Sequence, residues 1–166
     1  MTVSEIMEKM ICYPDNTLHD IAHFIKVYSF ARTIGQLEQL DDKTQMTLEI
    51  AAIVHDIACP LCREKYGNTN GVHQQEEGMI LAKKFLADKD LPDDMVDRVV
   101  YLVGHHHTFK NVDGIDYQIL LEADYLVNAD ESNYPEESNY NFLKNVFRTK
   151  TGIELMESMY GCKLEG

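Results

Sequence analysis

The sequence predicts an all-α protein, a single domain of about six to eight helices. Apolar residues recur with helical spacing in one segment after another, and no stretch of useful length shows the alternation that is typical of a β-strand. The chain has 166 residues, of which 45% are hydrophobic, enough for one domain with a substantial core. We therefore expect residues 1–166 to form one helical domain.

The first half of the chain is predicted to form three helices. A short helix covers Val3 to Ile11, and a long amphipathic helix covers Leu18 to Ile34, where Gly35 is expected to end it. A third helix begins at Asp41-Asp42 and reaches about Ile57. Because residues 50–54 are apolar on every side, we expect this helix to be the central one.

The second half of the chain is predicted to contain two longer loops and five helices. The loop at 59–72 is expected to hold one helical turn, and the polar loop at 129–141 contains Pro135. The five helices are expected at 73–87, 92–107, 115–128, 141–148 and 152–160. The core of the domain is expected within residues 17–128.

The charge of the chain limits its partners. With 28 acidic residues and a formal net charge of −13, the protein repels phosphate backbones, so we expect no nucleic-acid polymer as a partner. The first residues lack the basic start and apolar core of a signal peptide, and no apolar run is long enough to span a bilayer. A cytoplasmic protein without a membrane partner is therefore expected.

The four cysteines include the pair Cys59 and Cys62, which has the CxxC spacing. A structural zinc site would need a second pair with ligand spacing, and Cys12 and Cys162 do not form one. A thioredoxin-like redox pair would need a neighbouring βαβ pattern, which is absent. We therefore expect reduced cysteines without a metal or redox role.

Polar residues interrupt three otherwise apolar helices. His23 lies on an apolar helical face, the adjacent His55 and Asp56 end a buried run, and Asp124 lies within another. A buried imidazole or carboxylate needs a partner, and a metal ion can serve all four side chains. His23 taken alone would more simply be a buried histidine with a backbone partner. Glu122 lies ~200° round the helix from Asp124, so we expect one of these two to be exposed.

The order and the sequence contexts of these residues resemble the HD-domain superfamily of metal-dependent phosphohydrolases, which is named after the adjacent His-Asp pair. Three contexts carry the resemblance: Thr17–Val27, the segment AAIVHDIA at 51–58, and the segment LLEADYLVN at 120–128. The resemblance covers residues 17–128. It implies a helical bundle in which His23, His55, Asp56 and Asp124 bind a divalent cation: Mn, Fe, Ni, Co, Zn or Mg.

Relatives with additional histidines hold two metals, bridged by the aspartate of the His-Asp pair. The resemblance implies His73 and one or two of the histidines 105–107 as ligands of a second ion, with His106 the best candidate and His105 the next. Neighbouring helical residues point ~100° apart, so all three cannot face one point. The alternative is a solvated helix end whose histidines complement the helix dipole. Both one metal and two metals remain open.

The same resemblance suggests substrate contacts. His19, one turn before His23, is expected to contact a substrate phosphate, and Arg63 and Lys65, followed by Lys26, are the candidates for a phosphate clamp. The alternative for His19 is a surface residue beside Asp20. For each of the three basic residues taken singly, a solvated surface charge is the favoured interpretation. Cys59 stands where several branches of the superfamily place a charged residue that handles protons in some members, so the proton-transfer residue is unassigned.

The function implied is a metal-dependent phosphohydrolase that acts on a small phosphate ester or anhydride, with nucleotides as the leading candidates. A metal-bound hydroxide would attack phosphorus, and Asp56 would be the catalytic residue that binds or bridges metal and orients the water. Two alternatives remain: a non-catalytic HD sensor that binds a nucleotide, and a di-iron HD-type oxygenase that uses the same six ligands. Substrate, metal and oligomeric state are not fixed by the sequence.

Overall fold

The structure is a computed structural model that describes residues 1–165, which form nine α-helices and no strand. The helices are α1 (Val3–Ile11), α2 (Leu18–Leu37), α3 (Asp42–Val54), α4 (Cys59–Tyr66), α5 (Gly71–Leu86), α6 (Asp93–Val103), α7 (Ile115–Glu131), α8 (Glu136–Asn145) and α9 (Lys150–Tyr160). The predicted all-α class is confirmed. The helix count exceeds the expected six to eight because the segment predicted as a loop with one helical turn forms the eight-residue helix α4.

Helix α3 is the centre of the fold, as its sequence predicts. Its residues from Thr47 to Val54 are all buried, and helices α1, α2, α6 and α7 pack against it. The helical stretch Asp42–Tyr66 is long and apolar enough to cross a membrane, but 78% of its most apolar window is buried inside the protein. The apolar character of this stretch is therefore accounted for by its position in the core.

Helix α2 was predicted to end at Gly35, but it continues to Leu37. A Cβ atom at Gly35 would lie 2.3 Å from Oε1 of Gln45, so this glycine permits the close approach of α2 and α3. The chain instead turns after the helix at Gln39, whose φ of 60° lies in the left-handed region. A glycine signals a helix end only where the backbone leaves the helical conformation.

Helices α3 and α6 end earlier than predicted, one residue before His55 and three residues before His106. His55 donates from Nδ1 to the carbonyl oxygen of Ala52, and His106 donates from Nδ1 to that of Val103, both at 2.7 Å. Each imidazole thereby satisfies a carbonyl group that the end of the helix leaves without a partner. The two helix ends thus place an imidazole in the same local arrangement.

The C-terminal part is more helical than the sequence predicts. Helix α7 continues to Glu131 and α8 begins at Glu136, so the predicted loop at 129–141 shrinks to residues 132–135. Pro135 is the N-cap of α8 and starts the helix instead of marking a loop, because a helix start needs no amide donor there. The ring of Tyr125 on α7 stacks on that of Phe142 on α8, with their centroids 3.8 Å apart.

Glu122 and Asp124 are both buried, so the expectation that one of them is exposed is wrong. Glu122 faces the turn between α8 and α9, where its carboxylate accepts hydrogen bonds from the amide groups of Arg148 and Thr149 and from the hydroxyl of Thr149. Burial raises the pKa of Glu122, and these hydrogen bonds oppose the rise. Glu122 is therefore a structural residue that anchors the C-terminal helices to α7.

Candidate metal centre

Four of the predicted ligands meet beneath a surface cavity. Nε2 of His23 lies 3.2 Å from Nε2 of His55, 3.1 Å from Oδ2 of Asp56 and 3.2 Å from Oδ1 of Asp124. Nε2 of His55 lies 3.4 Å from each of the same two carboxylate oxygens. Helix α2, the turn after α3 and helix α7 therefore direct four donor atoms at one point, which we call the first donor group.

The hydrogen bonds behind the two imidazoles determine which nitrogen carries the proton. The Ala52 carbonyl can only accept, so Nδ1 of His55 is protonated and its Nε2 presents a lone pair. Nδ1 of His23 lies 2.9 Å from the carboxylate Oε2 of Glu131, which favours the same tautomer. Two nitrogen lone pairs and two carboxylate oxygens then face one another, an arrangement that requires a positive charge between them.

The pKa values of the four side chains also indicate that a positive charge is needed between them. Burial lowers the pKa of both imidazoles, but hydrogen bonds and charges from Asp56 and Asp124 outweigh it and raise the pKa of His23 to about 11 and of His55 to about 10. Burial raises the pKa of the two carboxyl groups, but the histidines reverse this and hold both values below the usual range. The group therefore attracts protons or a cation.

The spacing of the donors fits a metal ion. Ligand atoms ~2.1 Å from a cation lie ~3.0–3.4 Å from one another in octahedral or tetrahedral geometry. Five of the six distances in the first donor group run from 3.1 to 3.4 Å, and His23, His55 and Asp56 have ligand atoms that all lie within 4.8 Å of one another. The mixed nitrogen and oxygen donors suit a divalent transition metal or magnesium.

A second donor group shares Asp56. The other carboxylate oxygen of Asp56, Oδ1, lies 3.3 Å from Nε2 of His106, and both residues have ligand atoms close to those of His107. Nδ1 of His106 donates to the Val103 carbonyl, so its Nε2 also presents a lone pair. Asp56 thus directs one oxygen at each group. His105 is not part of this group, whose members are Asp56, His106 and His107, and its ring stacks on that of Tyr101.

The structure places Gln74, and not His73, beside the second donor group. Its Oε1 accepts from Nε2 of His107 at 2.7 Å and lies 3.4 Å from Nε2 of His106. His73 instead stacks on the ring of Tyr66 at 3.8 Å, and its buried Nδ1 has no hydrogen-bond partner. The buried face of α5 consists of Gln74, Gly78, Ala82 and Leu86. His73 lies one position, or ~100°, away from that face.

A family model described as the HD domain matches residues 18–131 of the chain. The chain belongs to the HD-domain family. Its fold is similar to the crystal structure of a predicted HD superfamily hydrolase from an uncultured Thermotogales bacterium, with a TM-score of 0.66, 25% sequence identity, and coverage of 96% of this chain and 83% of that chain. A search of curated proteins found no match. The family and the His/Asp groups together support a metal-dependent hydrolase.

The cavity above the metal centre of this HD domain has a volume of about 260 Å³ and is lined largely by polar side chains. Two of the predicted substrate contacts, His19 and Arg63, line it, and Lys65 does not. Lys65 forms an ion pair with Glu77. Arg63 donates two hydrogen bonds to the Asp20 carboxylate, at 3.0 and 2.5 Å, so the one guanidinium at this cavity is held by a neighbouring carboxylate.

Two residues that hold the ligands in place were missed by the sequence analysis. Asn128 donates from Nδ2 to Oδ1 of Asp124 at 3.0 Å, and Glu131 contacts both Nδ1 of His23 and, at 2.8 Å, the ammonium of Lys26. They follow Asp124 by four and seven residues and so share its face of α7. That spacing was visible in the sequence, but helix α7 was predicted to end at residue 128.

Cys59 lines the cavity in the position where several HD branches carry a charged residue. Its side chain is buried, and burial together with the negative charge of Asp56 raises the pKa of the thiol far above its usual value. Cys59 therefore stays protonated at neutral pH. It supplies neither a thiolate nucleophile nor a charged group for proton transfer.

Proposed function

We propose that this HD protein is a metal-dependent phosphohydrolase that acts on a small phosphate ester or anhydride, with a nucleotide as the leading candidate. The observation that carries the proposal is the position of Asp56, which directs Oδ2 at the first donor group and Oδ1 at the second, beside a cavity of about 260 Å³. Two cations that share one carboxylate can together stabilise the attacking and leaving oxygens of phosphoryl transfer. One or two ions of Mn, Fe, Ni, Co, Zn or Mg are compatible with these donors.

Each residue of the centre has a defined task in this proposal. His23, His55, Asp56 and Asp124 would hold a first ion, and Asp56 and His106 would hold a second one. What a bound divalent ion supplies is a coordinated water with a pKa lowered to ~7 and neutralisation of charge on the phosphoryl oxygens. Asp56 would be the catalytic residue, because its carboxylate lies between both groups, where it would bind metal and orient the attacking water by accepting a hydrogen bond from it.

The rim of the cavity supplies substrate binding. Arg63 reaches the cavity while it is paired with Asp20, and a substrate phosphate could take one of the two hydrogen bonds that Asp20 now accepts. The side chain of His19 is 72% exposed and lies at the same rim, 3.5 Å from Glu131. We propose His19 and Arg63 as phosphate contacts and assign no such role to Lys65.

The proposal includes a cytoplasmic location and a small-molecule partner, without nucleic-acid polymer or membrane. All four cysteines are free, which fits a reducing compartment. The di-iron oxygenase alternative uses the same six ligands as a two-metal hydrolase, so the stacking of His73 on Tyr66 bears on both alternatives equally. The sensor alternative keeps the same donors and differs from the hydrolase only in turnover.

The test is elemental analysis of the purified protein combined with phosphate release from a broad panel of phosphate monoesters, diesters and anhydrides, each with Mn, Co, Ni, Zn, Fe or Mg. We expect metal in the protein and metal-dependent release from at least one class. Release from no compound with any metal would contradict the hydrolase. A sensor would then be identified by nucleotide binding without turnover.

A further inference from the structure

A second cavity adjoins the one above the metal centre. It has a volume of about 220 Å³ and shares three lining residues with its neighbour: His107, Asp124 and Asn128. Asp124 belongs to the first donor group, so the second cavity begins at the metal centre itself. A group attached to a phosphate at the metal centre could therefore extend into this second cavity.

The walls of the second cavity are aromatic. They include Phe109, Tyr125, Tyr134 and Phe142, which we call the aromatic chamber. Phe109 meets the edge of Phe142 with centroids 5.1 Å apart, and Tyr134 lies 5.6 Å from Tyr125. Phe109 is 48% exposed and Tyr134 38%, and they are the two aromatic rings among the large exposed hydrophobic side chains of residues 1–165. Both exposed rings border the same cavity, which is the position that a stacking ligand requires.

The chamber continues outward into an open depression of about 430 Å³ that the same four rings line. The other lining residues of this depression are Ser138, Asn141, Asn145 and Val146. None of the residues that line the depression is charged, although the protein as a whole has a net charge of −13. The surface here is therefore neutral, with aromatic faces beside amide and hydroxyl groups.

This combination matches the chemistry of a nucleobase. A nucleobase is planar and uncharged, it stacks on aromatic side chains, and its edges exchange hydrogen bonds with amides and hydroxyls. The charged cavity over the donor groups suits the opposite end of the same molecule, the phosphate. An alkyl group would pack against the apolar rings but would form no hydrogen bonds with the amides of Asn141 and Asn145.

We infer that the aromatic chamber binds the base of a nucleotide whose phosphate lies at the metal centre, with Phe109 and Tyr134 as the residues that select for it. This inference rests on the proposed function for the position of the phosphate. It adds a specificity site that is separate from the metal ligands. Its four rings come from the turn after α6, from α7, from the turn before α8 and from α8, and none of them belongs to either donor group.

The test uses two ligands that cannot be hydrolysed, measured by calorimetry on the metal-loaded protein. One is the phosphonate analogue of AMP in which a carbon replaces the ester oxygen, and the other is the same analogue of ribose 5-phosphate, which lacks the base. Stacking of a base is worth ~5- to 150-fold in affinity, so we expect the first ligand to bind at least ~10-fold more tightly. Phe109→Ala and Tyr134→Ala are expected to remove most of this preference.

Three control variants separate loss of stacking from general damage. Phe109→Tyr and Tyr134→Phe keep the rings and should keep the preference. Ile80→Ala removes a side chain that is 67% exposed and lines none of these cavities, so it should change nothing. Equal binding of the two analogues to the unaltered protein, or equal weakening of both by the two alanine variants, would overturn the inference.

The outcome is independent of turnover, so it separates this inference from the proposed function. If the protein prefers the analogue with the base but releases phosphate from no ester, the base-binding chamber is supported and the hydrolase proposal is contradicted. If the protein hydrolyses phosphate esters but shows no preference for the analogue with the base, the hydrolase proposal is supported and the base-binding chamber is contradicted.

Discussion

The two donor groups share Asp56 but differ in how firmly the protein holds their atoms. In the first group, His23, His55 and Asp124 are buried, and each is fixed from behind by Glu131, the Ala52 carbonyl or Asn128. Four donors lie together there, and five of their six separations are at most 3.4 Å. Residues that hold ligands in this way raise metal affinity, so the first group is expected to bind its ion tightly.

The second group is less complete. Nε2 of His106 and Oδ1 of Asp56 meet at 3.3 Å, but Nε2 of His107 already donates to Gln74. Burial and the neighbouring His106 lower the pKa of His107 to about 4, so its ring is neutral at pH 7 and available as a donor only if this hydrogen bond breaks. The amide oxygen Oε1 of Gln74 lies beside His106 and His107, where a nitrogen of His73 was expected as a ligand. We therefore expect the second ion to bind more weakly than the first.

The variant Asp56→Asn tests what the two groups have in common. It removes one anionic ligand from both, and a loss of several kcal/mol of charge stabilisation corresponds to ~10³-fold in turnover. Phosphate release and metal stoichiometry should both fall. Asp88→Asn, at a carboxylate whose side chain is 79% exposed, is the matched control and should leave both unchanged. Full activity of Asp56→Asn would remove this residue from the mechanism.

Replacement of Glu131 by alanine tests the first group alone. The change removes the carboxylate that holds Nδ1 of His23, and losses of this kind weaken metal binding ~10- to 100-fold. In a metal titration, only the tighter of the two binding steps, which we assign to the first donor group, should weaken. Glu131→Gln keeps an acceptor for His23, so its metal affinity is expected to lie between that of the unaltered protein and that of Glu131→Ala. Lys26→Met removes the other partner of Glu131 and serves as a control for the lost ion pair.

Replacement of Gln74 by histidine tests the second group alone and should have the smallest effect. An imidazole at this position faces His106 and frees His107, so the weaker ion is expected to bind more tightly, on the order of 10-fold. The gain should be greatest for zinc, nickel or cobalt, which favour nitrogen donors. His73→Gln is the matched control. A loss of metal in His73→Gln with no gain in Gln74→His would show that His73 is the ligand after all.

Local patterns predicted the first donor group well. His23 shares a helical face with Val27 and Ala31, and that face is buried as its apolar character indicates. The residues preceding His55 are buried for the same reason. Where one helix carries its own apolar stripe, the sequence alone is enough to tell which polar side chains point into the core.

The second group depended on packing that the sequence did not reveal. Gly78 on α5 is buried against Val103, whereas the larger apolar side chain of the next residue, Met79, is exposed. A Cβ atom at Gly78 would lie 2.9 Å from a methyl group of Val103, so this glycine allows α5 and α6 to approach closely. That contact turns Gln74 inward and His73 outward. The aromatic chamber has no local signal in the sequence, because Phe109 and Tyr134 line the same cavity only through the tertiary fold.

We propose that Asp56 joins two metal sites of unequal affinity, and a metal titration of the metal-free protein would measure both sites. Calorimetry with Mn²⁺, repeated on His106→Ala, would measure the number of ions and the affinity of each. We predict two binding steps, of which the tighter one survives in His106→Ala and the weaker one is lost. A single step that His106→Ala leaves unchanged, or the loss of both steps in that variant, would contradict the account.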